Sequence, residues 1–479
     1  MIRSLVGTLA VLLLALPEGG GAQAVSLVSP DGDVDWNRFY TAAETNQMLR
    51  EFHALYPELT ELYPVGESFR GQPLMLLEIT NKATGPASRK PALYVDGGIH
   101  AAELTGSAVA TYLIGYLLNG YGDDDRITAL LDTRAFYVRP KFNPDGSDIA
   151  LIDDQSLRST TRPVDDDEDG TADEDPGEDL DGDGWITRIR IPDDEGDWVL
   201  DPSDDRILVR DVQGQLNGAR YSTLGEGIDN DGDGAFGEDG IGGIDMNRNF
   251  PRNWERWHLQ PGAGDFPLSE PETRAAVEFI NANRNITGIF HGHTSGGFVY
   301  RLPSASAPSL FPKIDLSLIE HLGEEYTRTT GRPVVPSATH TTEHRYGTLI
   351  SWGYWDHGII GWVPEFSPGP EEWAIDYDGD EVISQSEQHR FNDEELDGRY
   401  FSDWVAFDHP QLGAVEIGGW HSKFWGQNPP PEFLEAETAK QMPWAIYLAE
   451  LSPLIEVGSP SVTAAGNGTF RIEVTVTNT

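Results

Sequence analysis

The stretch Leu93-Tyr-Val-Asp-Gly-Gly-Ile-His-Ala-Ala-Glu103 reads as a buried strand, a glycine turn and the opening of a helix that continues to Leu118. Three more short apolar runs, residues 136–138, 286–290 and 359–363, carry the same strand signature, with helical text at 272–283 and 316–329 between or beside them. A run that is apolar on both alternating faces suits a strand covered on both sides. Strands alternating with helices predict an α/β fold with a mixed, largely parallel central sheet flanked by helices. Ligand sites in such folds gather at the carboxyl ends of the strands, where the polar residues His100 and Glu103 fall.

The rest of the chain supports a large packed body. It has 479 residues, 38% hydrophobic and 10% aromatic, with 13 Trp, enough to fill a core despite a net charge of −46. A surface this acidic repels phosphates and anionic lipid head groups, so nucleic-acid and membrane-surface partners are not expected. With no Cys, disulfides, thiolate nucleophiles and cysteine zinc sites are excluded. Arg3, the twelve apolar residues 5–16 and Ala22-Gln23-Ala24 read as a signal peptide over residues 1–24. That stretch is short of the roughly 20 residues a membrane span needs. Export to the medium or periplasm is the expectation, with no membrane partner after cleavage.

His100-x-x-Glu103 across a strand–helix turn can place an imidazole and a carboxylate on one metal. A later strand ends in His291-Gly-His293 and can supply a third donor. Two His and one Glu, with the fourth position left to water, form a catalytic zinc set. Residues two apart share a strand face, so spacing alone does not choose between His291 and His293.

Five ordered pieces make the chain resemble the carboxypeptidase A family of zinc metallopeptidases over roughly residues 36–451. They are His100-x-x-Glu103 after Gly97-Gly98-Ile99; Asn143-Pro-Asp-Gly146; Gly243-Ile-Asp245-Met-Asn247-Arg248-Asn249-Phe250; His293; and Ile350-Ser-Trp352-Gly-Tyr354 followed by Gly358-Ile359 and Glu365. The resemblance implies one zinc held by His100, Glu103 and His293, with Glu365 as general base. It implies that Asn247 and Arg248 bind a terminal carboxylate, that Arg158 stabilises the oxyanion, and that Ile350 lines the pocket for the terminal side chain. The family often has Arg where Ala102 stands. Its mobile Tyr has no clear counterpart at the nominal place, which Glu343 occupies; Tyr346, three residues on, is the candidate to serve in substrate binding.

An acidic loop insertion, about residues 163–240, separates Arg158 from Asn247. Between Asp165 and Asp183, twelve of nineteen residues are acidic and none is basic. Asp165, Asp167, Asp169, Asp173 and Asp175 alternate like a calcium loop, as do Asp179, Asp181 and Asp183, and Asp229, Asp231 and Asp233. Asp376, Asp378 and Asp380 with Glu387 match a further loop, although Glu381 stands where Gly is usual. Structural Ca2+ is favoured here over a disordered acidic spacer or a salt-adapted surface. The alternation in residues 470–479 reads as one strand. It joins the main sheet or, as favoured, begins a β-sandwich-like segment over 456–479, after a catalytic domain of residues 25–455.

The expected function is that of a secreted zinc carboxypeptidase acting on a peptide or protein with a free C-terminus, with an apolar terminal side chain suggested by Ile350. A zinc amidase or deacylase acting on cell-wall peptides or N-acyl amino acids keeps the chemistry but changes the substrate. A non-catalytic calcium-binding adhesion module is the reading from another class.

Overall fold

The computed structural model describes residues 25–165, 169–237, 239–304, 311–340 and 345–478. Residues 1–24, expected to be a signal peptide, lie outside the described residues, as do Asp167 and Glu343. No described helix is long and apolar enough to cross a membrane.

The main sheet has eight strands in the order Thr60–Glu67, Pro73–Ile79, Ala135–Arg139, Ala92–Gly97, Ile286–Thr294, Ile360–Phe366, Phe298–Arg301 and Val334–Pro336. The four central strands run parallel, and the next strand on each side, Pro73–Ile79 and Phe298–Arg301, runs antiparallel to them. The sheet is therefore mixed and largely parallel, and all four apolar runs lie in it. Val95, Val138, Ile289 and Trp362 are at most 1% exposed, because helices cover both faces. Fully burying a side chain such as Phe290 contributes roughly 1.5–3 kcal/mol. Helix Leu104–Gly120 packs on strands Ala92–Gly97 and Ile286–Thr294 and against helix Leu434–Glu450.

That helix starts at Leu104 rather than Ala101. The N–H groups of Ala101 and Ala102 donate instead to the carbonyls of Arg158 and Leu157, at 3.1 and 2.8 Å, so residues 100–103 form a turn. Two glycines let the helix sit low on the sheet. A Cβ on Gly106 would lie 2.5 Å from the Gly292 carbonyl oxygen, and one on Gly97 would lie 2.1 Å from that of Gly106.

The insertion is not a loop throughout, which corrects the expectation. Strands Arg188–Pro192, Trp198–Asp201, Asp204–Arg210 and Arg220–Gly225 join Phe401–His409 and Gly413–Trp420 in a six-stranded antiparallel sheet. Ile189, Val415 and Ile417 form its small core. Arg190 crosses between distant segments, 2.7 Å from Glu416 and stacked 4.5 Å over Trp404. These partners are more than 200 residues apart, so local patterning could not reveal the pairing.

The C-terminal text also differs from a single strand. Thr469–Glu473 pairs with Ser461–Gly466, whereas Val476–Asn478 returns to Ile455–Val457. Neither pair is bonded to a large sheet. Alternation sets which way side chains face but leaves the hydrogen-bonding partner open.

Candidate active site

The carboxyl ends of three neighbouring parallel strands carry the chemistry. Ala92–Gly97 leads into His100, Ile286–Thr294 ends just past His293, and Ile360–Phe366 presents Glu365, which lies opposite His293 in the strand register. Gly98, at φ +69°, turns the chain so that His100 and Glu103 face His293. The two imidazoles point Nδ1 at each other across 3.1 Å, while Glu103 reaches His100 Nδ1 at 2.7 Å and His293 Nδ1 at 2.9 Å. All three side chains are at most 6% exposed.

One ligand atom from each of these residues lies within 4.8 Å of the others, which fits two nitrogens and one oxygen around a small divalent ion. The orienting contacts fit as well. Asp245 Oδ1 meets His100 Nε2 at 3.1 Å, and Asn247 Nδ2 lies 3.3 Å from His293 Nε2. Partners on the far imidazole nitrogens fix the ring direction that a metal site needs. The donor set is that of a catalytic zinc site with one position left open.

His291 packs edge-on against His293, ring centroids 4.4 Å apart, but bonds elsewhere. It is fully buried with Nδ1 2.5 Å from Asp96 Oδ1, its neighbour in the register. His293 alone of the pair joins the cluster.

Arg158 lies in the site. Its Nε donates to Asp245 Oδ2 at 3.0 Å and Nη1 lies 3.4 Å from Glu103 Oε1. Its neighbour Asp154 pairs with Lys423 instead. The Arg158 segment is held because Asn143 Nδ2 donates to the Ser159 carbonyl at 2.9 Å. Asn143 Oδ1 meanwhile caps helix Pro144–Ile152 by accepting from Gly146 N. Asn247 Oδ1 accepts from Leu349 N at 3.1 Å, and Arg248 Nη1 lies 3.8 Å from Asp245 Oδ2.

The three metal-site residues, Glu365, Arg158, Asn247 and Arg248 line one cleft of about 450 Å³, together with Ile350, Val363, Tyr300 and Arg345. Among the described residues the lining includes Arg345 and not Tyr346, whose backbone N donates to Gln260 Oε1. The wall is also less apolar than Ile350 alone suggests, since Arg345 stacks 4.8 Å over Tyr300. Asp245, Arg345 and Tyr300 were missed as site residues. Asp245 had a signal in its place two residues before Asn247, whereas nothing local marked the other two.

The electrostatics divide the carboxylates. Burial pushes Glu103 up, but the imidazoles of His100 and His293 outweigh it and hold the group below the ordinary carboxylate range. Burial likewise opposes Asp245, yet Arg158, Arg248 and His100 keep it ionised. Burial and the nearby Glu103 charge push Glu365 well above its usual value, against the pull of Arg158, Arg345 and Arg248. Burial lowers His293 to about 3 and so keeps it neutral, as a ligand must be. One carboxylate is thus held as a fixed anion while another is poised to gain and lose a proton, a division typical of acid–base sites.

The zinc carboxypeptidase family matches residues 45–198 and 207–375, which include all three metal-site residues and Glu365.

The chain belongs to the zinc carboxypeptidase family.

Carboxypeptidase B of Astacus astacus is 33% identical over 127 residues, 26% of this chain and 40% of that protein. Carboxypeptidase O of Bos taurus is 31% identical over 271 residues, 55% of this chain and 52% of that protein. The alignments therefore span about half or less of these relatives. The crystal structure of carboxypeptidase A from Helicoverpa armigera matches at a TM-score of 0.53 and 15% identity, over 90% of this chain and 76% of that one, a likeness of fold. The zinc carboxypeptidase frame accounts for the main sheet.

The expected calcium residues regroup in space. Oxygens within 4.8 Å of one another come from Asp169, Glu174 and Asp231; from Asp175, Asp229 and Asp231; from Asp179, Asp181 and Glu226; and from Asp376, Asp378 and Glu387. Among the described residues Asp165, Asp173, Asp183, Asp233 and Asp380 fall outside these groups. Their carboxylates accept from the backbone N–H groups of Gly170, Gly242, Trp185, Ala235 and Val382. Four of these are the local turns that Asp forms in Gly-rich text, whereas the Asp173–Gly242 bond spans 69 residues.

Proposed function

We propose that the protein is an exported zinc carboxypeptidase that hydrolyses the last peptide bond of a peptide or protein with a free C-terminus. The observation that carries this reading is the convergence of His100, Glu103 and His293 with Glu365, Arg158, Asn247 and Arg248 on one cleft.

Zinc held by His100, Glu103 and His293 would polarise the scissile carbonyl and lower the pKa of water to about 7. Glu365 takes the proton from the attacking water and returns it to the leaving amine, a task its raised proton affinity suits. Arg158, anchored through Nε on Asp245, turns its remaining donors toward the developing oxyanion; one such donor is worth roughly 2.7–4 kcal/mol. Asn247 and Arg248 orient the terminal carboxylate, which Arg can bind through two parallel hydrogen bonds. The terminal side chain lies against Ile350 and Val363, with Arg345 adding a cation to the same wall. Export rests on the N-terminal text of residues 1–24.

A matched pair of peptides tests the substrate assignment. The free acid is expected to be cleaved at least about tenfold more efficiently than its C-terminal amide, from loss of one charge-assisted contact worth about 1.5–3 kcal/mol. Equal kcat/KM for the two would point to an amidase instead.

A further inference from the structure

The insertion carries a second cluster of ligating groups that the peptidase reading does not use. Asp169, Glu174 and Asp175 come from one acidic loop, and Asp229 and Asp231 from another more than 50 residues later. Oxygens of Asp169, Glu174 and Asp231 lie within 4.8 Å of one another, as do oxygens of Asp175, Asp229 and Asp231. Two ligands of one Ca2+ at about 2.4 Å can be no more than about 4.8 Å apart. Asp231 belongs to both groups.

The burial is what marks this as more than an acidic patch. Asp175 is 0% exposed, and its Oδ2 has no hydrogen-bond partner. Its Oδ1 accepts from Asn230 N, at 2.6 Å, which turns the carboxylate toward the second loop. Both carboxylate oxygens of Glu174 are likewise shielded from solvent, and the group faces the Asp239 carboxylate. Neither loop contains Lys or Arg. Carboxylates buried together without a counter-ion repel one another, and a divalent cation reverses the sign of that interaction. All-oxygen, carboxylate-rich donors on flexible glycine loops favour Ca2+ over the smaller Mg2+, which requires a strict octahedron and keeps its waters.

We propose that these loops bind a pair of calcium ions bridged by Asp231, and that the pair clamps together the two chain segments that carry Arg158 and Asn247–Arg248. The connections are short. Asp175 N donates to the Asp239 carbonyl at 3.0 Å, and Asp173 Oδ1 accepts from Gly242 N at 2.8 Å. Thr160 N donates to the Ile244 carbonyl at 2.9 Å, next to Asp245. A second cleft, of about 810 Å³, is lined by Asp175, Gly177 and Gly240 together with Arg158 and Asp245, so the clamp lies in the wall that runs into the active site. Calcium binding stands without the peptidase assignment, whereas the effect on substrate rests on it.

The test uses the mature, zinc-loaded protein, dialysed free of calcium in buffer containing micromolar zinc. Adding calcium is expected to raise Tm by at least about 3 °C, and equimolar magnesium by less. Calorimetric titration is expected to show Asp231→Asn binding two fewer calcium ions than wild type and Asp175→Asn one fewer, with Asp376→Asn leaving both ions in place. Removing calcium is expected to raise KM for a free-acid peptide severalfold through Asn247 and Arg248 and to lower kcat through Arg158, with zinc content little changed. No Tm response of the wild type, or an undiminished calcium count in Asp231→Asn, overturns the site. A single ion lost in that variant overturns the bridge, and an equal response to magnesium overturns the choice of calcium. Unchanged KM and kcat on calcium removal overturn the positioning role. If the protein cleaves no peptide, the melting and titration arms still decide the metal site.

Discussion

At the scale of single residues, the division of labour follows from what surrounds each carboxylate. Glu103 sits between two imidazoles and stays ionised, whereas Glu365 is enclosed near that charge and holds its proton more tightly. Glu365→Gln keeps the shape and removes the base. Its kcat is expected to fall by about 10²–10⁴-fold, with zinc content by metal analysis and KM little altered. Wild-type turnover in that variant would remove Glu365 from the mechanism. His100 and Glu103 were legible because they are three apart on one turn. The choice between His291 and His293 was not legible from a period of two. It depends on what lies opposite each in the sheet: Asp96 beside His291, Glu365 beside His293. Arg345 left no local signal, since it reaches the cleft through the packing of its loop on Tyr300.

At the scale of elements, the second sheet is joined to helix Gln385–Glu395 through buried, neutral histidines. His389 packs on Phe401 and Trp420, and His421 stacks 4.0 Å from Trp185 with Nε2 bonded to Ser402. Burial lowers both to about 4, with Arg206 assisting at His389 and Lys423 at His421. A folded-state pKa below the unfolded value means that the unfolded chain binds the extra proton. The stabilisation is thus complete above about pH 6.5 and is lost as pH falls toward 4, with a slope of up to about 1.4 kcal/mol per pH unit for each ring. Denaturant melts between pH 7 and 4 are expected to show this loss, and His389→Gln should flatten it. An unchanged acid limb in the variant would assign the loss elsewhere. The four insertion strands were missed because the acidic text around them dominates the composition, while their partners lie in residues 401–420.

At the scale of the whole molecule, the net charge of −46 opposes compaction. Self-repulsion among exposed carboxylates is screened by salt, with a Debye length that shrinks from about 30 Å at 0.01 M to about 10 Å at 0.1 M. In calcium-free buffer, Tm is expected to rise as NaCl increases over that range; a flat response would mean that local pairing already neutralises the surface. The four central strands and the helices that cover them were readable in advance, because burial on both faces leaves continuous apolar runs and the covering helices are long. The sequence by itself determined the parallel core, the metal-binding residue types and the order of the family's pieces, since each is written within a few neighbouring positions. Tertiary structure alone decided which histidine joins the cluster, which cation lines the cleft and which acidic side chains share a site, because these depend on distances between segments that only folding brings together.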